Sequence, residues 1–245
     1  MWSCWFRPFA KSWHRLIFEQ QLIPGRLLRR YKRFLADIEL DSGEQITALT
    51  PNTGSMKGVC VPGERVMVSC HDSPTRKLKY TWEMIHLEGD WVGINTHLTN
   101  KIAGEALRSG MIPAFRKYKE VRAEVKIADD TRIDFVLGSD TRCLVEVKNV
   151  TLVENRMARF PDSVTTRGTK HLNHLIHAVE NGEQAAMLYV CQHHAGAQFE
   201  PADDIDPVYG DTLRQAYLAG VKIEAWVARV TPTEITLTHS IPVSL

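Results

Sequence analysis

The stretch from residue 121 to residue 150 limits the folds open to this chain more than any other. It contains three runs in which apolar and polar residues alternate, and such alternation is typical of strands that bury one face. The runs are 121–127, 131–137 and 143–148. Short polar segments at 128–130 and 138–140 separate them and are rich in residues that favour turns. The pattern predicts a three-stranded antiparallel meander.

Three charged side chains of this stretch have a distinctive spacing. Asp134 lies in the second run, while Glu146 and Lys148 lie two residues apart in the third and therefore project together. An acid on one strand beside Glu-x-Lys on the next is the spacing of the PD-(D/E)xK phosphodiesterase site. Two close carboxylates attract a hard cation such as Mg²⁺, and a neighbouring lysine orients water and shares negative charge. The alternative is a solvated strand face with a Glu/Lys pair, which is common in antiparallel sheets.

Composition argues against several classes of protein. The 245 residues suffice for one large domain or two small ones. Five cysteines without a C-x-x-C pair argue against a disulfide framework or a structural zinc site. Free thiols instead indicate a reducing compartment, and we expect a cytoplasmic protein. Since no apolar run approaches the roughly 20 residues of a membrane-spanning helix, no membrane partner is expected.

Charge is unevenly distributed along the chain, although the net charge is only +1. Residues 1–33 contain eight Lys or Arg residues against a single acid, Glu19. A basic first half and an acidic remainder are compatible with a nucleic-acid-binding surface joined to a metal site. A solvated basic arm without a specific partner fits the charge equally well.

The first half of the chain predicts a small β domain over residues 21–95, preceded by a poorly ordered extension over residues 1–20. Five candidate strands, the first one long and curved, favour a barrel of the OB type. They are Arg26–Leu40, Glu44–Thr50, Arg65–Cys70, Tyr80–Leu87 and Trp91–Asn95. The loop Pro51–Met56 between two of these strands lacks the Gly-Lys-Ser/Thr ending of a phosphate-binding loop, so we interpret it as a structural turn.

OB barrels bind single strands through basic and aromatic side chains. The candidate nucleic-acid-binding residues of the predicted barrel are Arg29, Arg30, Tyr31, Lys32 and Arg33, with Lys57, Arg76, Lys77 and Lys79 as further phosphate contacts. For each single lysine, solubilising charge is the alternative interpretation.

Residues 96–245 predict an α/β domain in which the meander lies between two helices. The first helix, Thr99–Ser109, is capped by Thr99 or Asn100 and carries Glu105, a candidate metal-facing acid whose alternative is an exposed helical glutamate. The second helix runs from about residue 164 to 181 and is capped by Asp162 or Ser163. Its polar side carries Arg167, Lys170 and His171, which are expected near the scissile phosphate.

The remaining predicted elements are a strand at 185–191, a helix at 207–219, a strand at 221–230 and an edge strand at 236–243. The order helix, three strands, helix, strand is typical of the restriction-endonuclease-like fold. The predicted architecture is thus an OB-like barrel followed by a restriction-endonuclease-like α/β domain, α+β overall.

Several longer motifs make a family resemblance specific. They are Arg30–Asp37, Pro51–Met56, Thr81–Glu83, Arg132–Phe135, Glu146–Leu152, Phe160–Asp162 and Thr166–Leu172. Together they resemble the bacterial sugar fermentation stimulation protein A family from residue 22 to residue 245, and the first 20 residues fall outside the pattern. The resemblance implies non-specific DNA binding and a regulatory role in sugar, notably maltose, metabolism. It also implies a nuclease-like triad of Asp134, Glu146 and Lys148, with Glu124 and Glu105 as auxiliary acids.

Three hypotheses follow from these observations. The first is a DNA-binding protein, for single- or double-stranded DNA, that retains a nuclease-like site for Mg²⁺ or Mn²⁺. The second is an active Mg²⁺-dependent nuclease that uses Asp134, Glu146 and Lys148. The third is an interaction protein whose basic face contacts RNA or another protein. A homodimer is compatible with each, because PD-(D/E)xK domains often pair.

Overall fold

A computed structural model describes residues 15–128, 131–138 and 141–245. The strands in chain order are β1 (Arg15–Ile17), β2 (Ile23–Tyr31), β3 (Leu35–Leu40), β4 (Gln45–Leu49), β5 (Arg65–Cys70), β6 (Tyr80–Leu87), β7 (Asp90–Gly93), β8 (Glu120–Ala128), β9 (Thr131–Gly138), β10 (Cys143–Val150), β11 (Leu152–Glu154), β12 (Met157–Phe160), β13 (Gln184–Cys191), β14 (Gln198–Pro201), β15 (Lys222–Val230) and β16 (Glu234–Ser240). The α-helices are α1 (Thr99–Arg108), α2 (Thr166–Glu180) and α3 (Pro207–Ala219).

The first half of the chain closes into a five-stranded barrel. Its strands pair in the order β4-β3-β2-β5-β6, and a parallel pairing of β4 with β6 closes the ring. Alternate residues such as Leu27, Ile38 and Trp82 fill the interior and are fully buried. The expected OB-type barrel is confirmed.

One predicted strand of this barrel is wrong. The long curved strand proposed for residues 26–40 is two strands, β2 and β3, which turn back on each other between residues 31 and 35. Lys32 and Arg33 have φ angles of +49° and +65°, the left-handed conformations that a tight hairpin turn requires. Lysine and arginine are not typical of such turns, so the sequence pattern predicted one continuous strand across this turn.

The poorly ordered extension predicted for residues 1–20 does not reach residue 20, because residues 15–17 form a strand. Arg15–Ile17 forms β1 and pairs antiparallel with β16, and the Phe18 N–H donates to the Thr233 carbonyl. Residues 1–14, the rest of the predicted extension, lie outside the described residues. The strand expected at the sheet edge over 236–243 is β16, which lies between β1 and β15.

The second half of the chain builds a mixed sheet in the order β15-β13-β10-β9-β8. The predicted antiparallel meander of β8, β9 and β10 is confirmed, although its turns at 129–130 and 139–140 lie outside the described residues. β10, β13 and β15 run parallel to one another. A second, three-stranded sheet of β11, β12 and β14 was not predicted.

Barrel and sheet are continuous through β7. This strand pairs antiparallel with β6 and also with β15, where Trp91 opposes Val230. Hydrophobic residues from both halves meet in one core, in which the barrel residues Leu22 and Met84 pack with Ile102 of α1 and Trp226 of β15. None of the described helices has the length and apolar character to cross a membrane.

The predicted helix caps are wrong for both α1 and α2. The residue before α1 is Leu98, which makes no side-chain capping bond, and α2 is capped by Thr165, whose side chain accepts from the Gly168 N–H. Thr99 and Asn100 are already inside α1, where their side chains bond to other strands instead. The side chains of Thr99 and Asn100 therefore bond to residues distant in sequence and do not cap the backbone N–H groups of their own helix.

Candidate metal and nucleic-acid site

A cavity of about 640 Å³ lies between the barrel and the α/β domain, and we call it the cleft. The barrel contributes Arg33 and residues 52–54 to its wall. The opposite wall is the end of the meander, with Asp134, Glu146 and Lys148. All three residues of the predicted triad thus face the same space.

Strand pairing explains why Asp134 and Glu146 meet. Val145 opposes Phe135 in the antiparallel pair β9–β10, so the next residues of the two strands, Glu146 and Asp134, come side by side on one face. The Asp134 carboxylate accepts a hydrogen bond from the Val147 N–H at 2.7 Å. It also accepts from the Asn100 amide at 2.8 Å, which ties it to the first turn of α1.

Glu146 is the most deeply buried acid of the cleft, with 1% of its surface exposed. Its Oε1 atom accepts from the Lys148 ammonium at 2.5 Å and also contacts Nδ1 of His171. Arg167 donates to Nε2 of the same imidazole at 3.3 Å, so the neutral tautomer with the proton on Nδ1 satisfies both contacts. The Oε2 atom of Glu146 has no hydrogen-bond partner among the described residues.

The pKa values of the two carboxyl groups are shifted in opposite directions. Burial and the nearby charge of Glu146 raise the pKa of Asp134 to about 6, although the Val147 N–H opposes this shift. Burial alone would also raise the pKa of Glu146, but the hydrogen bond from His171 and the charge of Lys148 outweigh it and lower that pKa. Near neutral pH both groups are therefore mostly ionised and repel each other.

These features fit a divalent cation. An orphaned, buried carboxylate oxygen beside a second carboxylate is an arrangement that a cation would stabilise. Within the described ranges, no group of three or more His, Cys, Asp or Glu side chains is placed to hold a metal ion. Mg²⁺ commonly binds through one or two carboxylates and keeps several waters, so Asp134 and Glu146 suffice as its protein ligands.

The two auxiliary acids behave differently. Glu124 is exposed, lines the cleft and shares the Asn100 amide with Asp134, at 3.1 Å. Its φ of +52° is unusual for a residue within a strand. Glu105 does not line the cleft: it lies beside a neighbouring pocket, where Arg108 is 4.0 Å away. The expectation that Glu105 faces the metal is not met.

Of the predicted nucleic-acid-binding residues, Arg33, Arg167 and His171 line the cleft. His171 is not free to contact a phosphate, because its side chain is only 8% exposed and its Nδ1 atom contacts Glu146. Lys170, on the next position of α2, is exposed.

Arg30 has a structural role in place of the predicted phosphate contact. Its guanidinium donates to the carbonyls of Arg33, Asn52 and Gly54, at 2.6, 3.1 and 3.0 Å. Burial lowers its pKa. The side chain therefore holds the loop 51–56 against the β2–β3 turn and is not available to a nucleic acid.

Most other basic residues of the barrel are paired within the protein. Arg29 forms an ion pair with Asp37 at 2.8 Å, and the Tyr31 hydroxyl donates to the same carboxylate. Lys57 pairs with Glu154, and half-buried Arg76 donates to the Thr81 hydroxyl. The remaining predicted residues are exposed: Lys32, Lys77 and Lys79. The barrel therefore offers fewer free phosphate contacts than the sequence suggested.

Charges around the cleft balance. Among the described residues that line it, four are basic and four acidic, namely Arg33, Lys148, Arg159 and Arg167 against Glu124, Asp134, Glu146 and Asp162. A polyanion gains little net attraction from such a lining. A bound divalent cation would make the cleft positive, so anion binding there should depend on the cation.

Sequence reasoning missed the polar residues that hold the carboxylates in place. The Gln192 amide, fully buried, donates to Asn149 Oδ1 at 2.6 Å and to the Thr99 hydroxyl at 3.2 Å, so it joins the ends of β13 and β10 to the start of α1. Asn100 bonds directly to Asp134. The only available signal was a run of polar residues directly after buried strands.

A closed OB barrel joined to a mixed α/β domain, with two carboxylates and a lysine lining the cleft between them, defines a class of two-domain proteins. Family models divide the chain in the same way. The model described as "SfsA N-terminal OB domain" matches residues 28–94, and "Sugar fermentation stimulation protein RE domain" matches residues 97–234. The chain belongs to the sugar fermentation stimulation protein family, as its motifs indicated.

Relatives of similar length support this assignment. The sugar fermentation stimulation protein homolog of Geobacter sulfurreducens is 48% identical over 93% of this chain and 98% of its own. The homolog of Citrifermentans bemidjiense is 50% identical over 92% of this chain and 98% of its own. Among solved structures, Pyrococcus furiosus SfsA in complex with Ca²⁺ has a TM-score of 0.86 at 24% identity and covers 94% of this chain and 98% of that one. It shares the fold.

Proposed function

We propose that this protein binds DNA in the cleft, and that Asp134 and Glu146 hold a divalent cation against the phosphate backbone. One observation carries the proposal: the buried Oε2 atom of Glu146 has no partner among the described residues, beside a second carboxylate that faces the same cavity. The related P. furiosus protein is described in complex with Ca²⁺, a cation that also prefers oxygen ligands.

The residues around the cleft would divide the work. Asp134 and Glu146 would bind the cation, and His171 together with Lys148 fixes the orientation of Glu146 by occupying its other oxygen. Arg167 lines the same space and would contact phosphate oxygens, as would the part of the Arg33 guanidinium that does not donate to the Thr53 carbonyl. Because the lining is otherwise neutral, DNA affinity should require the cation and fall as salt rises.

A second candidate function is phosphodiester hydrolysis, favoured by the position of Lys148. Its ammonium lies 2.5 Å from Glu146 and faces the cleft, where it can orient a water molecule or share the charge that develops on a phosphate. A bound Mg²⁺ or Mn²⁺ supplies Lewis-acid chemistry and lowers the pKa of its water. Protonated Asp134 cannot serve as a full anionic ligand, so affinity for the cation should rise as pH increases through about 6.

Fluorescence polarisation with labelled DNA tests the binding proposal. The full chain is titrated in Ca²⁺, Mg²⁺ or excess chelator, and the same titrations are made with Asp134→Asn and Glu146→Gln. We expect cation-dependent binding that both variants lose. Glu105→Gln, an acid-to-amide change outside the cleft, is the matched control and should bind normally. Binding that survives the chelator and both cleft variants would overturn the proposal.

Denaturing gels test hydrolysis in Mg²⁺ or Mn²⁺. Cleavage that Lys148→Met abolishes while DNA binding persists would establish an enzyme. Binding without cleavage by the wild-type chain would limit the protein to the first function.

A further inference from the structure

The loop of residues 51–57 forms part of the barrel-side wall of the cleft and is attached to the other half of the chain at both ends. Near its start, the Thr96 hydroxyl donates to the Pro51 carbonyl at 3.1 Å. Near its end, the Met56 N–H donates to the Asp162 carboxylate at 2.9 Å. These contacts place the loop as a bridge from the base of α1 to the segment that follows β12.

The gap between this loop and Asp162 is fully closed. A Cβ atom built on Gly54 would lie 2.5 Å from both carboxylate oxygens of Asp162, a distance that real Cβ contacts do not reach. Lys57 and Glu154 add an ion pair of 2.8 Å beside this contact, at the surface. A nucleic acid cannot pass between the loop and Asp162 unless these contacts separate.

The loop is also stiff, so it does not bend away by itself. Three bonds from Arg30 hold its carbonyls and the neighbouring turn, and the Asn52 side chain accepts from the Gly54 N–H at 2.9 Å. Since the barrel continues into the sheet through β7, wider opening of the cleft requires the two halves of the protein to move apart.

The size of the cleft limits what it can enclose. Its volume of about 640 Å³ is too small to enclose a turn of duplex DNA, whose major groove alone is roughly 12 Å wide. The same volume lies within the range of about 300–1,000 Å³ that encloses small ligands, and it suits unpaired nucleotides. A duplex would have to break the loop contacts to bring its backbone to Asp134 and Glu146.

We infer that the cleft accepts DNA as a single strand and excludes the duplex while the loop is anchored. This inference rests on the proposed function, since it specifies the substrate of the same site. Opening the loop for a duplex costs at least the charge-assisted bond from Met56 to Asp162. The duplex should therefore bind about ten- to hundredfold more weakly than the single strand.

Competition between the two forms of DNA measures this difference. The full chain in Ca²⁺ is titrated with a labelled single strand of about 16 nucleotides, the upper range of one OB barrel, and with the duplex of the same sequence. Tighter binding of the single strand supports the inference. Equal binding of both forms, lost in Asp134→Asn, overturns the inference and leaves the proposed function standing. Binding of neither form overturns both.

Variants of the loop contact test the physical cause. Gly54→Ala and Asp162→Ala separate the loop from its anchor, and both should reduce the preference for the single strand about tenfold, mainly through tighter duplex binding. Asp162→Asn removes the same charge but can still accept from the Met56 N–H, so its preference should stay at the wild-type value. Thermal unfolding verifies that each variant folds. An equal loss of preference in Asp162→Asn and Asp162→Ala would overturn the role of the anchor.

Discussion

Replacement of Asp134 by asparagine is expected to stabilise the folded protein at alkaline pH while it removes cation binding. Burial and the charge of Glu146 raise the pKa of Asp134 from its ordinary 3.8 to about 6. The folded chain therefore contains an unfavourable charge at pH 8 that asparagine lacks. Asparagine has the same shape, and its carbonyl can still accept from the Val147 N–H.

The structure sets the size of this effect. A rise of about 2 pKa units corresponds to about 3 kcal/mol at pH 8, using 1.36 kcal/mol per unit. The variant loses about 1 kcal/mol of this gain, because its NH₂ group faces the Asn100 amide, and that amide must turn over to pair with it and give up its exposed bond to Glu124. We expect a net stabilisation of about 2 kcal/mol.

The dependence on pH identifies the residue responsible. The folded chain binds the Asp134 proton more tightly than the unfolded chain does, so this group stabilises the fold below about pH 4 and loses that contribution as pH rises through 6. Glu146 has a pKa below its ordinary 4.5, so its own contribution is complete once the pH is well above 4.5, and the change near pH 6 belongs to Asp134. The advantage of the variant should thus grow between pH 4 and pH 7.

Urea unfolding in chelator at several pH values measures the difference between wild type and variant. Addition of Mg²⁺ at a hundred times its dissociation constant should stabilise the wild type by about 2.7 kcal/mol and leave the variant unchanged. A variant that is less stable than the wild type at pH 8 without cation would refute the account of Asp134 as a half-buried charge that destabilises the fold.

Three further variants test other parts of the structure. Lys148→Met removes the ammonium group from the cleft and should lower cleavage by about 10²–10³-fold on gels while DNA binding in Ca²⁺ is retained. Gly25→Ala should destabilise the barrel by about 1–3 kcal/mol in urea, since its Cβ would lie 2.6 Å from the Glu39 carbonyl oxygen. Tyr189→Phe leaves the buried Tyr209 hydroxyl without the partner that it has at 2.5 Å, which should cost about 1–3 kcal/mol. Unchanged cleavage, or an unchanged urea midpoint in either stability variant, would contradict the respective assignment.

The closeness of the three charged residues was predictable because strand geometry is regular. A period of two places Glu146 and Lys148 on one side of their strand, and antiparallel pairing brings Asp134 of the preceding strand next to them. The helices that follow buried strands were predictable for the same reason, since their apolar stripes have a clear period.

The partners of single polar side chains were not predictable from the sequence. Asn100 has the chemistry of a helix cap, but a carboxylate from a strand 34 residues away is its partner in the fold. Arg30 resembles a phosphate contact, but carbonyls of a loop more than 20 residues away accept its hydrogen bonds. In both cases a contact between residues distant in sequence decides the role, and a local pattern does not contain that information.

The shared core beneath β7 has a consequence for how this protein can vary. Leu22 and Met84 belong to the barrel by chain order but bury their side chains with Ile102 and Trp226 of the other half. A foreign domain put in place of either half would have to reproduce this apolar contact and the strand pairing at Trp91. Neither half should therefore be replaceable on its own by an unrelated domain. A substitution at one residue of this shared core should be tolerated only together with a compensating change at the residues that it contacts.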